Sequence, residues 1–568
     1  MGLALKQKIG AFFFNFLFKR HYKKDRTHKQ TKAEKCSSSL YTPVKYFFDF
    51  CYFLHMYWKS GKAVGIMFLK TQKKEEESVI LAQYAIRSKQ EYIFRSNRLL
   101  DIVGGTEMIR DAFDWVYAAA EQEGIVCQTA DVPFTLQAVR DAFAAGTLGM
   151  AELFRGGGNL TVLYRDRETY LRVNRCFSRL VLENAPGMIP MAACCEVDGQ
   201  DYSADYKALM EAVDAEKNRM LPGRADYAAP FALRDRATNQ PIVSRVPFKD
   251  AQRELTAEGL KKLEKGRRSD KQNDGNRLLD EMTTEWKDES LLAIIHADGN
   301  NMGVKIQQKL NGSTDYDFCV NTMRAFTAEI TNAFTHTGEA SLRDTMAYLQ
   351  KRYSNPRESA YHYRIVVADG DDFTFICNAR FALDYTRRYL AAVRQAGDYS
   401  SCAGICIFHS GYPVARAYSL AEQACDNAKK PVHSTHAEEC WLDFHYLHSG
   451  IDGDLDNIRS WQKTGGLMAR PWLVESGKAV FSLANAETLV KYILAHKDMG
   501  TNRSNLKKIA AALEESRSAA QMELARVQYR APGFAAALRA FSPNENDQLK
   551  ALYDIAEIYD LWIAERGK

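Results

Sequence analysis

Two apolar runs in this chain deliver acids where each run stops. The first is Leu291-Leu-Ala-Ile-Ile-His-Ala-Asp298-Gly-Asn-Asn-Met-Gly303, the second Arg364-Ile-Val-Val-Ala-Asp-Gly-Asp371-Asp372-Phe373-Thr-Phe-Ile. Unbroken apolar runs of this length are consistent with buried strands. Two such strands side by side would bring Asp298, Asp371 and Asp372 to one point, a repulsion usually tolerated because a divalent metal sits there. Phosphoryl and nucleotidyl transfer need little covalent chemistry from protein; positioning and neutralisation of phosphate charge carry the rate. The residue types therefore point to a palm-type nucleotidyl-transfer site, with Mg²⁺ or Mn²⁺ held by Asp298 and Asp371, one from each strand. Asp372 points to the opposite side of its strand unless the turn twists it, and is a second ligand, a helper or a residue that orders the turn. Gly370 permits a tight turn and close backbone approach. Gly299, Asn300, Asn301 and Gly303 are placed to wrap phosphate oxygens at the start of the next helix. Lys305, Lys429 and Lys430 are candidate contacts for a triphosphate. Either acidic turn alone reads as an ordinary loop. Both together, in order, followed by Ala403-Gly-Ile-Cys-Ile and an acidic, alanine-rich helix, read as a site.

The elements that must position these acids follow from periodicity. After the strand at 291–298 come helices over 299–311 and 316–352, two strands meeting near Gly370, a helix over 379–395, a strand at 401–409, a helix over 413–430 and a strand at 440–447. That order, β-α-α-β-β-α-β-α-β, predicts a ferredoxin-like core with additions, its antiparallel sheet covered on one face by helices. An earlier block has the same rhythm: a strand at 79–86, helical pattern to about 120, a strand-like segment over 151–164, a helix over 167–183, a strand at 188–197 and a helix over 202–219. Gly156-Gly-Gly-Asn159 in that block stands before an apolar strand as Asp369-Gly-Asp-Asp372 does in the later one. The fold class expected is α+β: two ferredoxin-like palm domains, the first stripped of its acids, and a C-terminal helical domain. The boundaries predicted are a basic, aromatic N-terminal extension over 1–77, a degenerate first palm over 78–247, a charged helical linker over 248–289, a second palm with the acidic site over 290–447, and a helical domain over 448–568, in which 505–524 is strongly amphipathic.

Bulk properties bound the answer without naming it. A chain of 568 residues, 46% hydrophobic and 26% charged, holds several folded domains. A net charge of +5 is compatible with nucleotide or RNA and demands neither. The 12 cysteines form no paired CxxC framework, which predicts reduced thiols, no structural zinc and a cytoplasmic protein. The aromatic runs at 11–18 and 46–58 are too short or too interrupted to span a membrane, and no signal-peptide cleavage site follows them. They read as a segment that packs or docks against the body, ahead of a membrane-surface element; a translation start at Met67 is the alternative.

At these residues the chain resembles the large polymerase/cyclase-like subunit of type III CRISPR effector complexes, whose two palm domains are related to nucleotide cyclases and GGDEF diguanylate cyclases. Ala297-Asp-Gly-Asn-Asn-Met-Gly303 is similar to that family's Asp-Gly-Asp-Asn-Met-Gly element, and Asp369-Gly-Asp-Asp372 to its Gly-Gly-Asp-Asp signature. Tyr92-Ile-Phe94 with Val103-Gly-Gly105 resembles the opening of its first palm; Leu467-Met-Ala-Arg-Pro-Trp472 and Arg503-Ser-Asn-Leu-Lys-Lys508 resemble its C-terminal part. The resemblance runs from about residue 78 to the end. It implies joining of ATP into cyclic oligoadenylates as an antiviral alarm, with Asp298 and Asp371 on the metal, Asp372 completing the catalytic acids, and the first palm holding a second nucleotide. The partners it implies are nucleoside triphosphates, ATP first, with RNA or CRISPR effector subunits and a homodimer as further expectations; a membrane is not expected.

Four departures matter. Asp369 stands where the signature has its first glycine, and Asn300 where the first element has a second acid. There is no His-Asp doublet for the family's N-terminal nuclease, and no cysteine set for the zinc element between the palms; Asn239-Gln-Pro241 falls near that place. A reduced or stand-alone member is therefore expected. A palm pair that binds nucleotide or RNA as sensor or scaffold, without turnover, is the competing class. A diguanylate cyclase is the weaker third reading, since the turn ends in Asp372-Phe373 rather than Glu-Phe.

Overall fold

The structure, a computed structural model, describes residues 79–96, 98–220, 231–236, 238–248, 251–270, 282–283, 290–353, 358–435, 437–447, 453–461, 466–475, 479–495 and 502–561. The extension expected over 1–77, with the start at Met67, lies outside them. Strands are numbered in chain order: β1 (Val79–Arg87), β2 (Cys127–Gln128), β3 (Met150–Gly156), β4 (Asn159–Tyr164), β5 (Ile189–Val197), β6 (Ile242–Phe248), β7 (Ala251–Thr256), β8 (Leu291–Gly299), β9 (Tyr363–Asp369), β10 (Asp372–Asn378), β11 (Ser401–His409), β12 (Trp441–Tyr446) and β13 (Trp472–Leu473).

The apolar runs become sheet interiors as expected, and the two blocks share a topology. The first sheet is ordered β2-β3-β4-β1-β5 and the second β13-β12-β11-β8-β10-β9. Without β2, β12 and β13, each sheet places its fourth strand beside its first, then its third, then its second, which is the ferredoxin-like order. In both blocks the second and third strands are a hairpin, turning at Gly157-Gly158 in the first and at Gly370-Asp371 in the second. The strand-like segment expected over 151–164 is that first hairpin.

The second sheet differs from expectation on two counts. β12 runs parallel to β11, so the sheet is mixed. Helices cover both faces rather than one. Ala293, Ile295, Ala297, Phe373 and Phe375 face the C-terminal helices and the helix Ala382–Gln395; Leu292, Ile294 and Ile376 face the helix Val414–Thr435. The short period-2 run at 291–297 is apolar at successive positions because a strand alternates its side chains between two buried faces.

The two palms also exchange helices. Ile93, Phe94, Leu99, Ile102 and Val103, on the first block's helices Lys89–Phe94 and Leu99–Asp111, pack on the second sheet with Val366 and Val367 of β9. In return Tyr316, Cys319 and Val320 of the helix Tyr316–Ile330 pack in the core of the first sheet, while Phe326 and Ile330 of the same helix pack in the second. That helix continues through a π-helical segment, Thr331–His336, into Thr337–Arg352.

Of the charged stretch expected as a solvated linker over 248–289, the part described over 251–270 is packed. Its first strand, β7, pairs with β6 from the end of the preceding block, and the helix Ala257–Asp270 lies along Leu99–Asp111. Two glycines make the approach feasible: a Cβ on Gly104 would stand 1.9 Å from the Lys262 carbonyl oxygen, and one on Gly266 2.0 Å from that of Leu100. Lys262 is buried, donating to Glu258 at 2.7 Å with its ammonium 3.9 Å from the Tyr92 ring centroid. The amphipathic stretch over 505–524 is two helices, because Ser516 ends one and caps the next by accepting from the Ala519 N–H. Among the described residues no helix is long and apolar enough to cross a membrane.

Candidate active site

Register brings Asp298 to Asp372, and the adjoining turn sets Asp371 over Gly299. β8 pairs β10 antiparallel with Ala297 opposite Phe373 and His296 opposite Thr374, so Asp298 at the end of β8 meets the start of β10 at Asp372. Gly370, at φ +65°, closes the β9–β10 turn in the left-handed region that favours glycine. Asp371 and Asp372 leave that turn on opposite sides, as strand alternation requires. Asp371 lies over Gly299, where a Cβ would stand 2.8 Å from the Asp371 Cβ. Asp372 shares a face with His296 and Thr374: His296 Nδ1 is 3.4 Å from Asp372 Oδ1 and 3.0 Å from Thr374 Oγ1.

Electrostatics confirm the crowding. The Asp371 carboxyl is pushed up to about 7, first by burial and then by the charge of Asp298. Asp372 is also raised to about 7, by burial, Asp298 and Asp369, with Lys89 pulling the other way. Burial lowers the pKa of His296, so its ring is a neutral hydrogen-bonding group between Thr374 and Asp372. Lys429 Nζ donates to Asp298 Oδ2 and, at 3.1 Å, to the Gly299 carbonyl. Burial disfavours that ammonium, but Asp298 outweighs burial and holds its pKa above the usual lysine value.

Lys429 arrives on the helix Val414–Thr435, which lies on β11 at Gly404. A Cβ there would stand 1.9 Å from the Ala421 carbonyl oxygen and 2.3 Å from the Cys425 nitrogen. Only a glycine strand position lets this helix come so close. The same helix brings Glu422, whose carboxyl is raised by burial, with Asp426, Asp372 and Asp298 adding to the shift and His296 opposing it.

Several sequence-predicted contacts lie elsewhere. The Asn300 N–H is taken by the Ser400 carbonyl at 2.9 Å, so it is not free for phosphate. Its side chain is buried and donates to Ser400 Oγ and the Glu439 carbonyl, both at 3.0 Å. A carboxylate could not donate to the Glu439 carbonyl, and the Ser400 hydroxyl already gives its proton to Glu438 at 2.7 Å, so the position suits an amide where the resembling element has an acid. Asn301, at φ 60°, precedes the helix Met302–Leu310 and donates to Glu438 at 3.2 Å. Lys305 is held by the Asp398 carbonyl at 2.7 Å and Glu438 at 3.0 Å, away from the acids. Space beside Gly303 is open, and Lys430 is exposed on its helix. Lys429 is thus the predicted lysine that meets the acids.

The donor set suits a hard cation: carboxylate oxygens, with Asp298 close enough to raise the pKa of both Asp371 and Asp372. Among the described residues no three His, Cys, Asp or Glu side chains converge on one point as placed. Magnesium commonly takes one or two protein carboxylates and completes its shell with water and substrate phosphate, so Asp298 with Asp371 or Asp372 fits that pattern.

A cleft of about 850 Å³ reaches Asp372 and runs between the two hairpins. Lys89, Arg155 and Gly158 line it from the first block, Asp369, Gly370 and Asp372 from the second. Lys89 and His296 were not foreseen from the sequence. A histidine in an apolar run reads as core, and a lone lysine 280 positions from its partner gives no local sign.

With this geometry in hand, residues 291–435 match the family model for the second palm domain of Cas10/Cmr2. That segment is similar to the second palm of Cas10/Cmr2. The chain is Cas10-like through this domain, which contains all three acids and Lys429. No curated relative matches the sequence. Among solved structures, a Csm1–Csm4 cassette in complex with one ATP aligns at 11% identity, covering 87% of this chain and 70% of that one, with a TM-score of 0.46. A Csm1–Csm4 cassette in complex with cA4 aligns at 10% identity over 86% and 70%, with a TM-score of 0.45. Csm1 of T. onnurineus aligns at 11% identity over 85% and 69%, with a TM-score of 0.43.

Proposed function

We propose that this chain is a metal-dependent nucleotidyltransferase that joins nucleoside triphosphates, ATP first among them, into cyclic oligonucleotide signals in antiviral defence of the type III CRISPR kind. The carrying observation is the gathering of Asp298, Asp371 and Asp372 on the Cas10/Cmr2-type palm, beside a cleft shared with the other palm. Bound Mg²⁺ or Mn²⁺ would neutralise phosphate charge and the developing charge on leaving pyrophosphate. Asp298 with Asp371 or Asp372 would hold that ion once the pair has lost its protons. Lys429 restrains Asp298, and neutral His296 with Thr374 orients Asp372. The cleft positions a second nucleotide against the first, so that its 3′-oxygen bonds the first nucleotide's α-phosphorus, the bond from that phosphorus to pyrophosphate breaks, and the hydroxyl proton is lost to solvent. The substrate preference, a cytoplasmic location and partner effector subunits follow from the family resemblance.

The test is turnover of each labelled nucleoside triphosphate with Mg²⁺ or Mn²⁺, with and without RNA, products resolved by mass. Expected is a cyclic oligonucleotide and released pyrophosphate, both lost in the Asp371→Ala/Asp372→Ala protein. One observation favours a second reading, a palm pair that binds nucleotide or RNA without turnover: Lys429 already occupies Asp298. Tight nucleotide binding with no product under any condition would establish that reading instead.

A further inference from the structure

The acid at position 369, where the resembling signature has glycine, meets a cation from the other palm. Lys89 Nζ, on the first block's helix Lys89–Phe94, is 3.3 Å from Asp369 Oδ2, and both side chains are partly open to the cleft. The pair crosses directly over the first palm's turn. A Cβ on Gly158 would stand 1.3 Å from Lys89 Nζ and 2.8 Å from Asp369 Oδ2, so the missing side chain is what leaves the ammonium its place. The turns themselves are close: a Cβ on Gly370 would stand 3.8 Å from the Gly157 nitrogen. Asp369 is also the register partner of Asp372 across the β9–β10 hairpin, so its charge acts on both the catalytic turn and the cleft. An uncompensated carboxylate there would repel an incoming polyphosphate, since a cleft with low-dielectric walls focuses the field of the charges that line it.

We propose that Lys89 is a positioning residue supplied by the first palm: it neutralises Asp369 across the palm interface, over Gly158, and so lets the second palm's cleft accept a nucleotide polyphosphate. Lys89 and Asp369 are then one compensating unit. The lysine is needed because the acid is present, and removing both costs little. The inference rests on the nucleotide-binding part of the proposed function and not on turnover.

The experiment is a double-mutant cycle with Lys89→Met, Asp369→Asn and the two combined. The full-length protein is used, and affinity for a non-hydrolysable ATP analogue with Mg²⁺ is read by equilibrium dialysis. KM and kcat for ATP are read in parallel. K89M alone is expected to weaken analogue binding by about tenfold at low ionic strength, less at high salt, because the freed charge is partly exposed to solvent. The combined variant is expected within about threefold of D369N, with the K89M effect falling on KM more than on kcat. Gly158→Ala keeps both charges but evicts the ammonium, and should bind as weakly as K89M. Its alanine is strained at φ +69°, so its melting curve is taken first, and if it does not fold the cycle alone decides. A combined variant as weak as K89M, a K89M that binds like wild type, or a wild-type protein that does not bind the analogue would each overturn the proposal. A wild type that binds and shows the coupling but makes no product would overturn the synthase reading and leave the clasp standing.

Discussion

Asp372→Asn should make the metal-free protein more stable at pH 8 and leave it unchanged at pH 4. Folding raises the Asp372 pKa from 3.8 to about 7, first through burial and then through Asp298 and Asp369. The folded chain therefore holds this proton more tightly than the unfolded chain does. Stability is fully present below pH 3.8, falls as pH rises, and the loss is complete above about pH 7. At about 1.4 kcal/mol per pH decade, that interval corresponds to a ceiling of about 4 kcal/mol. The side chain is 26% exposed, so water screens part of this; about 2 kcal/mol is the expected loss at pH 8. Asparagine keeps a carbonyl for Thr374 and His296 and loses the charge. Urea denaturation in EDTA across pH 4 to 8 should show the variant gaining on wild type through that range. Thermal melts at pH 8 should show the same difference as about 4–8 °C in Tm if the palm unfolds as a unit of about 150–250 residues. Millimolar Mg²⁺ should narrow the gap by stabilising wild type alone, since binding to the folded state adds to stability. A difference independent of pH, or a wild type more stable at pH 8 in EDTA, would refute the argument that the acids are gathered at the expense of the empty fold.

Three further outcomes follow from contacts away from that carboxylate. Gly404→Ala places a Cβ against backbone atoms of the Val414–Thr435 helix, which cannot rotate aside. A loss of about 3 kcal/mol, at the upper end of overpacking, is expected in denaturant melts. Arg470→Met removes a fully buried guanidinium, bonded to the Phe444 carbonyl at 2.6 Å and facing Asp443, Asp554 and Glu557. The stranded acids should cost about 3–5 kcal/mol, and a stability within 1 kcal/mol of wild type would contradict that network. Asn300→Asp should lower melting temperature without tightening Mn²⁺ binding, because the site at 300 asks for a donor; tighter Mn²⁺ binding would instead make this position a metal ligand.

What could be read from the sequence is what is local. A buried strand must present apolar side chains to both sides, and a turn that reverses within two residues must contain a residue free to take positive φ. The strands carrying Asp298 and Asp372, and the turn at Gly370, were therefore visible in residue order alone. The repeated rhythm of the two blocks was visible for the same reason, and the ferredoxin-like strand order followed from it. Charge, by contrast, misled at 257–270. A run dense in lysine and arginine reads as solvated, yet Gly104 and Gly266 let two helices touch backbone to backbone and draw Lys262 inside. The roles of Asn300 and Lys305 were equally out of reach, because their partners, Ser400, Asp398 and Glu438–Glu439, sit across a strand pairing whose register no local pattern states. Residue types and spacing determined that this chain concentrates acids at two strand ends. Only the tertiary structure decided which cations attend them. The helix over Gly404 brings Lys429 to Asp298 and the exchanged first-palm helix brings Lys89 to Asp369, since contacts between distant segments depend on how closely backbones can approach.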